Sequence, residues 1–238
     1  MLKRILIIAT DTLHRRYILN HLCDQGIKLC GCFFEINSLK PPFSSEPVGY
    51  EEVEQSFLTK HFSMLTRHDL DRVPHWFFHS GNDSNAHAKI RELKPDFCIV
   101  SGAGRLTMNT IRLFPDGLLN VHLGIAEEYR GLDSNLWAIY NNDFSNIGVT
   151  IHYVEEDLDT GPIIEQVRLP LTNAMRIHNL RFYEARLAAD IIARSVIAYL
   201  KGTLQSRPQA KTGRYYSFIP HQNRAIVARR FDRYCEEL

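Results

Sequence analysis

The chain has 238 residues, 45% hydrophobic and 23% charged, ordinary globular usage that excludes disordered and fibrous classes. Lys+Arg 28 against Asp+Glu 27 leaves a formal charge of +1, so there is no global attraction for nucleic acid or for an anionic membrane surface, and neither is expected as a partner. A chain of this length buries a sizeable core without disulfides. Its five cysteines (Cys23, Cys30, Cys32, Cys98, Cys235) contain no Cys-x-x-Cys pair; they read as free thiols, which points to a reducing, cytoplasmic location. The apolar run 5–9 is too short for a signal-peptide core or a bilayer span.

Residues 3–10 (Lys-Arg-Ile-Leu-Ile-Ile-Ala-Thr) are a β-branched apolar run, the pattern of a strand buried on both faces in a parallel sheet. Asp11 or Thr12 can cap the helix that follows, where Leu13, Tyr17, Ile18 and Leu22 fall at helical spacing. Gly26 stops it and 27–34 gives a second strand, completing a βαβ unit. Residues 38–47, rich in Ser and Pro, read as an irregular connection, and 50–65 as a helix with Glu51, Glu52 and Glu54 in its first turn. A short strand at 76–78, a helix at 85–93, a strand at 97–101, a helical stretch at 108–114 and a strand at 118–123 continue the alternation. The fold expected is α/β: a Rossmann-like, doubly wound, mainly parallel sheet with helices on both faces and ligands at the carboxyl ends of its strands. Two strands, 148–154 and 162–170, then flank a loop at 155–161, and a long helix over 173–200 ends at Gly202. Residues 203–238 are more polar and read as a C-terminal extension.

Several motifs fail. Gly102-Ala103-Gly104 follows a strand as a dinucleotide fingerprint does, but Thr107 stands where the third glycine belongs. There is no Walker motif, His-Glu-x-x-His or Gly-x-Ser-x-Gly, and no histidine pairs with Cys or carboxylates at ligand spacing, so no metal is expected. Asn120-Val121-His122 survives. Period-two alternation puts Asn120 and His122 on one face, where an amide donor beside an imidazole can hold a carbonyl and its developing oxyanion. Asp159, in Asp157-Leu158-Asp159-Thr160-Gly161, pairs with His122 if its loop folds over the sheet edge, favouring the imidazolium. The same segment also reads as an Asx-type turn with Gly161 at positive φ; spacing alone leaves both readings open.

Gly-Ala-Gly-Arg-Leu (102–106), Leu-Leu-Asn-Val-His (118–122), Tyr-Arg-Gly (129–131), Trp137, Gly-Val-Thr-Ile-His (148–152) and Leu-Asp-Thr-Gly-Pro-Ile (158–163) stand in an order and spacing that resembles the folate-dependent formyltransferases. The resemblance covers about residues 97–166, and the α/β half before it more loosely. It implies transfer of a formyl group from 10-formyltetrahydrofolate to an amine, with a catalytic domain at 1–202 and the extension at 203–238. The family's catalytic trio maps to Asn120, His122 and Asp159. Main chain around Gly104, Arg105, Leu106 and Thr107, with the loop carrying Val154, Glu155 and Asp157, would form the pterin slot.

Departures from the family narrow the acceptor. Purine-pathway members carry a Gly-Ser-Asn phosphate cradle where this chain has Thr10-Asp11-Thr12-Leu13-His14-Arg15-Arg16. After His122 the chain reads Leu-Gly-Ile-Ala-Glu-Glu in place of a Pro-containing Ser-Leu-Leu-Pro, which puts the usual acceptor loop in question. The short 203–238 stretch and near-neutral charge disfavour tRNA, and a hydrolase relative would carry a regulatory segment before the first strand. The style that remains resembles the nucleotide-sugar N-formyltransferases. An amino sugar on a nucleoside diphosphate needs cationic and aromatic contacts, which His14, Arg15, Arg16, Trp76, Phe77, Tyr129 and Arg130 offer. Trp137 fits a core-facing helix position, and Tyr215-Tyr216 serves packing, a homodimer contact or base stacking. Another small amine, hydrolysis of the formyl donor, or a catalytically silent folate- or nucleotide-binding module are the alternatives.

Overall fold

The computed structural model describes residues 3–36, 49–63 and 72–238. The connection expected at 38–47 and the end of the helix expected at 64–65 lie outside them. In chain order the elements are β1 (Ile5–Thr10), α1 (Leu13–Asp24), β2 (Leu29–Glu35), α2 (Gly49–Phe62), β3 (His75–Phe78), α3 (Ser84–Leu93), β4 (Phe97–Ser101), α4 (Met108–Ile111), β5 (Leu118–His122), β6 (Tyr129–Gly131), α5 (Ser134–Tyr140), β7 (Gly148–Tyr153), β8 (Ile163–Arg168), α6 (Ile177–Leu200), β9 (Arg214–Tyr216) and α7 (His221–Glu236).

Seven strands form one sheet in the order β3-β2-β1-β4-β5-β7-β8. The first five run parallel, and β7 and β8 are antiparallel to their neighbours. Every residue of β1 is buried, because both faces of the sheet are covered. Ile5, Ile7 and Ala9 pack with α1 (Ile18, Leu19, Leu22) and α6 (Ala188, Ala189, Ile192, Val196). Leu6 and Ile8 enter a second cluster with Phe33 of β2, Ala86 and Ile90 of α3, and Val100 of β4. The small residues of α6 let its backbone lie close to α1 and to β7 on this face of the sheet. The chain runs outward from β1 to β3 and returns to β4 on the other side of β1, so the winding reverses between β1 and β4. A doubly wound sheet opens its ligand crevice at that point, beyond the strands' carboxyl ends.

Element boundaries differ from expectation in places. α6 starts at Ile177 rather than 173, because Arg176 caps it: the Arg176 amide donates to Asn179 Oδ1 at 2.9 Å and the Ile177 amide to Asp232 Oδ1 at 2.7 Å. The positive φ in the 157–161 segment belongs to Asp159 (56°), not Gly161. Residues 203–238 carry a strand and a 16-residue helix. β9 pairs with β6, and Val227, Phe231 and Cys235 of α7 share a buried cluster with Ile139, Met175, Ile177 and Leu180. Among the described residues no helix is long and apolar enough to cross a membrane.

Glu127 ties this last stretch to the sheet. Its Oε1 accepts from Arg207 Nη1 (2.7 Å) and the Ala210 amide (2.6 Å), and its Oε2 from Arg207 Nη2 (2.8 Å) and Gln166 Nε2 (2.9 Å). The Arg207 hydrogen bond is the main cause that holds this carboxyl down at about 2. A depressed carboxyl stabilises the fold fully above its unfolded value and loses that contribution as pH falls through its folded one. Glu127→Gln is therefore expected to be about 1–2 kcal/mol less stable than wild type at pH 7, a figure reduced for the solvent-exposed Arg207. In urea titrations the two proteins should converge between about pH 4 and pH 2; a gap constant from pH 7 to pH 2 would contradict the assignment.

Candidate active site

β5 delivers Asn120 and His122 to one side of the sheet while Leu119 and Val121 enter the core on the other, as its alternation requires. The neighbouring antiparallel strand β7 sets His152 opposite Asn120, at a register irregularity between Ile151 and His152. Directly opposite residues of an antiparallel pair point to the same face, so the His152 ring stands beside the Asn120 amide. The loop after β7 then doubles back and brings Asp159 over the same spot.

The four side chains form one cluster. Asp159 Oδ1 accepts from Asn120 Nδ2 at 3.1 Å and lies 3.3 Å from His152 Nε2. Asp159 Oδ2 accepts from the Gly131 amide at 2.7 Å and lies 3.5 Å from His122 Nδ1. Asn120 Nδ2 is also 3.1 Å from His152 Nε2. The outer nitrogen of each ring faces a main-chain carbonyl: His122 Nε2 to Tyr129 O at 2.9 Å and His152 Nδ1 to Tyr153 O at 2.7 Å. A carbonyl only accepts, so both outer nitrogens carry hydrogen and the inner nitrogens, which face Asp159, are the atoms free to gain or lose one. His122, His152 and Asp159 are 5%, 2% and 8% exposed, so the cluster is shielded from bulk water. Burial alone would raise the Asp159 carboxyl; the charge of His122, the His152 hydrogen bond and the Gly131 amide overcome it and hold the group well below the ordinary carboxylate range.

The loop geometry that places Asp159 is over-determined. Arg130 Nη1 donates to Leu158 O at 3.0 Å and Arg130 Nε to Gly213 O at 2.6 Å, while Gln209 Nε2 donates to Asp159 O at 2.8 Å and Gly161 O at 3.0 Å. The left-handed backbone at Asp159 costs about 1–2 kcal/mol, and these contacts offset it. Gly161 is required for closeness rather than for φ, since a Cβ there would stand 1.9 Å from Tyr153 O.

The cluster lines a cleft of about 870 Å³ that opens over the β1/β4 reversal, within the size range of small-molecule sites. Of the residues singled out in the sequence, His14, Arg15, Gly104, Arg105, Leu106, Asn120, His122, Val154, Glu155, Asp157 and Asp159 line it, as does Phe77. Thr107 sits just behind the wall as the N-cap of α4. Arg16 lines an adjoining depression and pairs with Asp11 at 2.6 Å. Tyr129 is buried, its hydroxyl donating to Asp143 at 3.0 Å, and Arg130 holds the Asp159 loop as described. Trp76 is placed elsewhere: it faces the opposite side of β3, edge-on to Phe33, and a Cβ at Gly31 would come 2.7 Å from its ring. The expected ligand role of Trp76 is corrected to packing, and Phe77, its neighbour on the alternate face, reaches the cleft. Trp137 packs as expected. Tyr215 and Tyr216 divide the options between them, Tyr216 stacking on Tyr129 and Trp137 while Tyr215 lines the cleft, half-exposed.

Two further groups were not anticipated. One is His152, whose partner Asn120 is 32 positions away. The other is a charged set on the β1 side. Burial would lower the Arg181 guanidinium, but Glu184, Glu54 and Asp133 around it more than compensate and raise it. Arg15 differs: it donates to the hydroxyls of Thr10 (2.5 Å) and Thr12 (3.2 Å), and burial followed by the charge of Arg181 lowers it. Among the described residues no carboxylate is paired with Arg15. Burial first, then Arg15 and Arg181, also keep His14 well below its ordinary value.

Comparison with known proteins matches residues 51–188 to the family model described as formyl transferase. The methionyl-tRNA formyltransferase of Myxococcus xanthus is 31% identical over 126 residues, covering 52% of this chain and 40% of that protein; the chain thus spans under half the length of this curated relative. Among solved structures, a sugar N-formyltransferase from Shewanella sp. superposes with a TM-score of 0.64 at 14% identity, over 97% of this chain and 88% of that one. The formyltransferase PseJ from Anoxybacillus kamchatkensis, in complex with UDP-4,6-dideoxy-4-formamido-L-AltNAc and tetrahydrofolate, superposes with a TM-score of 0.55 at 16% identity, over 94% and 89%. At these identities the structural likeness is one of fold.

The contact at Gly161 makes a direct test of the loop. Gly161→Ala forces the Asp159 segment away from Tyr153 and is expected to cost about 1–3 kcal/mol. Thermal unfolding of the variant measures it, and a melting temperature equal to wild type would show that the close approach is not made.

Proposed function

The chain belongs to the formyl transferase family, and on that premise we infer that it transfers a formyl group from 10-formyltetrahydrofolate to the amino group of a nucleotide-linked amino sugar. The observation that carries this reading is the Asn120–Asp159 contact of 3.1 Å with an imidazole nitrogen on each carboxylate oxygen, at the carboxyl end of a central strand and inside a cleft of small-molecule size.

The wall between Gly104 and Val154 suits a flat heterocycle. Leu106, Val100 and Val154 supply apolar faces, and the 102–107 and 154–159 segments bring main-chain groups around them. Bound there, 10-formyltetrahydrofolate supplies the formyl carbon. The chain's own residues handle charge and protons. The attacking nitrogen becomes cationic as its bond to carbon forms, and its proton passes to the cluster, where an inner imidazole nitrogen beside Asp159 holds it; the bond from the formyl carbon to the donor nitrogen would then break, with that proton returned to the departing nitrogen of tetrahydrofolate. If that atom is His152 Nε2, it ceases to accept from Asn120 Nδ2 and donates to Asp159 instead. One Asn120 N–H is then released toward the cleft as negative charge grows on the formyl oxygen, an oxyanion donor supplied when it is needed. His122, held by Tyr129 O and Asp159, adds positive charge behind it.

For the acceptor, Arg15 has no anionic partner among the described residues, and a charge withdrawn from water calls for a counter-charge. The diphosphate of a nucleotide sugar provides one. β1 and β5 are two strand spacings apart, about 10 Å, so an amine at Asn120 and an anion at Arg15 belong to one compact molecule. Phe77 and Tyr215 at the cleft mouth, each 50% exposed, offer faces for a nucleobase. The sugar N-formyltransferase neighbours fit this acceptor, whereas the sequence relatives act on methionyl-tRNA. In this reading 1–202 is the catalytic domain and 203–238 an extension that completes the cleft with Tyr215 and Phe218.

The test is to mix the protein with 10-formyltetrahydrofolate and a panel of amines, methionyl-tRNA included, and to follow tetrahydrofolate release. Release with an amino-sugar nucleotide, lowered about 10²–10³-fold in kcat by Asn120→Ala, is the expected outcome. Release with methionyl-tRNA alone, or with no amine, would replace the acceptor by tRNA or water. Arg15→Gln should raise the KM of the acceptor and leave that of the donor unchanged; unchanged acceptor KM would remove Arg15 from the site.

A further inference from the structure

β2 ends on Glu35, only 5% exposed. In doubly wound dinucleotide enzymes an acid at this position takes a ribose hydroxyl. Here both carboxylate oxygens are engaged within the chain: Oε1 accepts the amide of Gly81 at 2.6 Å, and Oε2 the amide of Gly104 at 2.7 Å. Gly81 belongs to the β3–α3 connection and Gly104 to the β4–α4 loop. One buried carboxylate thus joins the end of β2 to two loops that have no covalent reason to stay together.

Asn82, the residue after Gly81, extends the tie. Its Nδ2 donates to Arg105 O at 2.8 Å, and its Oδ1 accepts the Thr107 amide at 2.8 Å and the Thr110 hydroxyl at 2.7 Å. Three main-chain groups of the 104–107 segment are therefore fixed by two side chains from outside it. From its other side, Arg105 donates through Nε (3.1 Å) and Nη2 (2.8 Å) to Glu156 O, linking the segment to the loop that carries Asp159. The packing agrees: Gly81 sits so close beneath Leu106 that an added Cβ would be 3.0 Å from Leu106 Cδ2. Left untied, a loop holding Gly102 at φ 64° and a second glycine would sample many shapes.

We propose that Glu35 is a positioning residue for the formyl donor: through Gly81 and Gly104 it holds the 102–107 main chain in the form that receives the donor's ring. The proposal rests on the folate reading above. It differs from it in assigning the donor's affinity to a largely buried side chain at the cleft wall that acts through the main chain it holds. Charge matters as well as shape, since an ionised carboxylate accepts with both oxygens while an amide presents an N–H to one of the two main-chain donors.

The experiment is Glu35→Gln, measured by titration with 5-formyltetrahydrofolate, by steady-state kinetics and by thermal unfolding. An unsatisfied buried donor at Gly81 or Gly104 should weaken donor binding about tenfold and raise the donor KM in step. kcat at saturating donor and the acceptor KM should stay within about twofold, since the catalytic cluster is untouched. Asn82→Asp, which keeps Oδ1 as acceptor and removes the donation to Arg105 O, should give a smaller change of the same kind and serves if Glu35→Gln does not fold. Equal binding by wild type and both variants overturns the proposal alone. A fall of kcat and of the melting temperature with both KM values raised alike also overturns it, as a general structural effect. Wild type that fails to bind 5-formyltetrahydrofolate overturns the donor reading itself, and the proposal with it.

Discussion

A carboxylate as enclosed as Asp159 requires partners on both oxygens, because burial without them would leave it protonated or destabilise the fold by several kcal/mol. Much of the chain around the end of β5 is arranged to meet that requirement. β7 runs antiparallel to β5, so His152 stands beside Asn120. The Gly131 amide comes from the short β6, and from the C-terminal stretch Gln209 donates to the loop's main chain while Gly213 O holds Arg130, which donates to Leu158 O. The left-handed conformation at Asp159 is tolerated because these contacts act together. The extension is thus part of the site's support, and Glu127 with Arg207 is its anchor.

The cleft is organised by charge as well as by shape. Near β5 a negative group is balanced by imidazoles whose outer nitrogens are fixed by carbonyls, so the proton count can change without side-chain movement. Near β1 the excess is positive among the described residues: Arg181 is balanced by Glu184, Glu54 and Asp133, while Arg15 donates to the Thr10 and Thr12 hydroxyls. In the proposed reading such a polarity would orient the acceptor, with its anion at β1 and its amine at β5. The donor side differs in kind. In the proposed reading it is built of loop main chain held by Glu35, at the cleft wall, and by Asn82.

How much of this was legible in the sequence varied with the range of the interaction that decides it. The first βαβ unit and β4 and β5 were readable because strands covered on both faces become unbroken β-branched runs. That Asn120, His122 and Asp159 meet in space was readable through alternation and family resemblance. His152 was not, since its role depends on a strand pairing that no local pattern encodes. Gly161 suggested a turn with positive φ, yet the structure needs glycine there for its approach to Tyr153, and the positive φ falls on Asp159. α7 was missed because only Val227, Phe231 and Cys235, four apart, are buried in an otherwise polar helix. Trp76 was misassigned because alternation on an edge strand does not say which face is the ligand's.

The central claim is that Asp159 and the inner nitrogens of His122 and His152 hold and exchange one proton while the outer nitrogens stay protonated. Nitrogen-15 NMR of histidine-labelled protein, compared between wild type and Asp159→Asn across the pH range of folding, tests it most directly. The account predicts His122 Nε2 and His152 Nδ1 protonated at every pH in both proteins, with the inner nitrogens of both rings shifting when Asp159 loses its charge. Outer nitrogens that deprotonate, or inner nitrogens indifferent to Asp159, would contradict it.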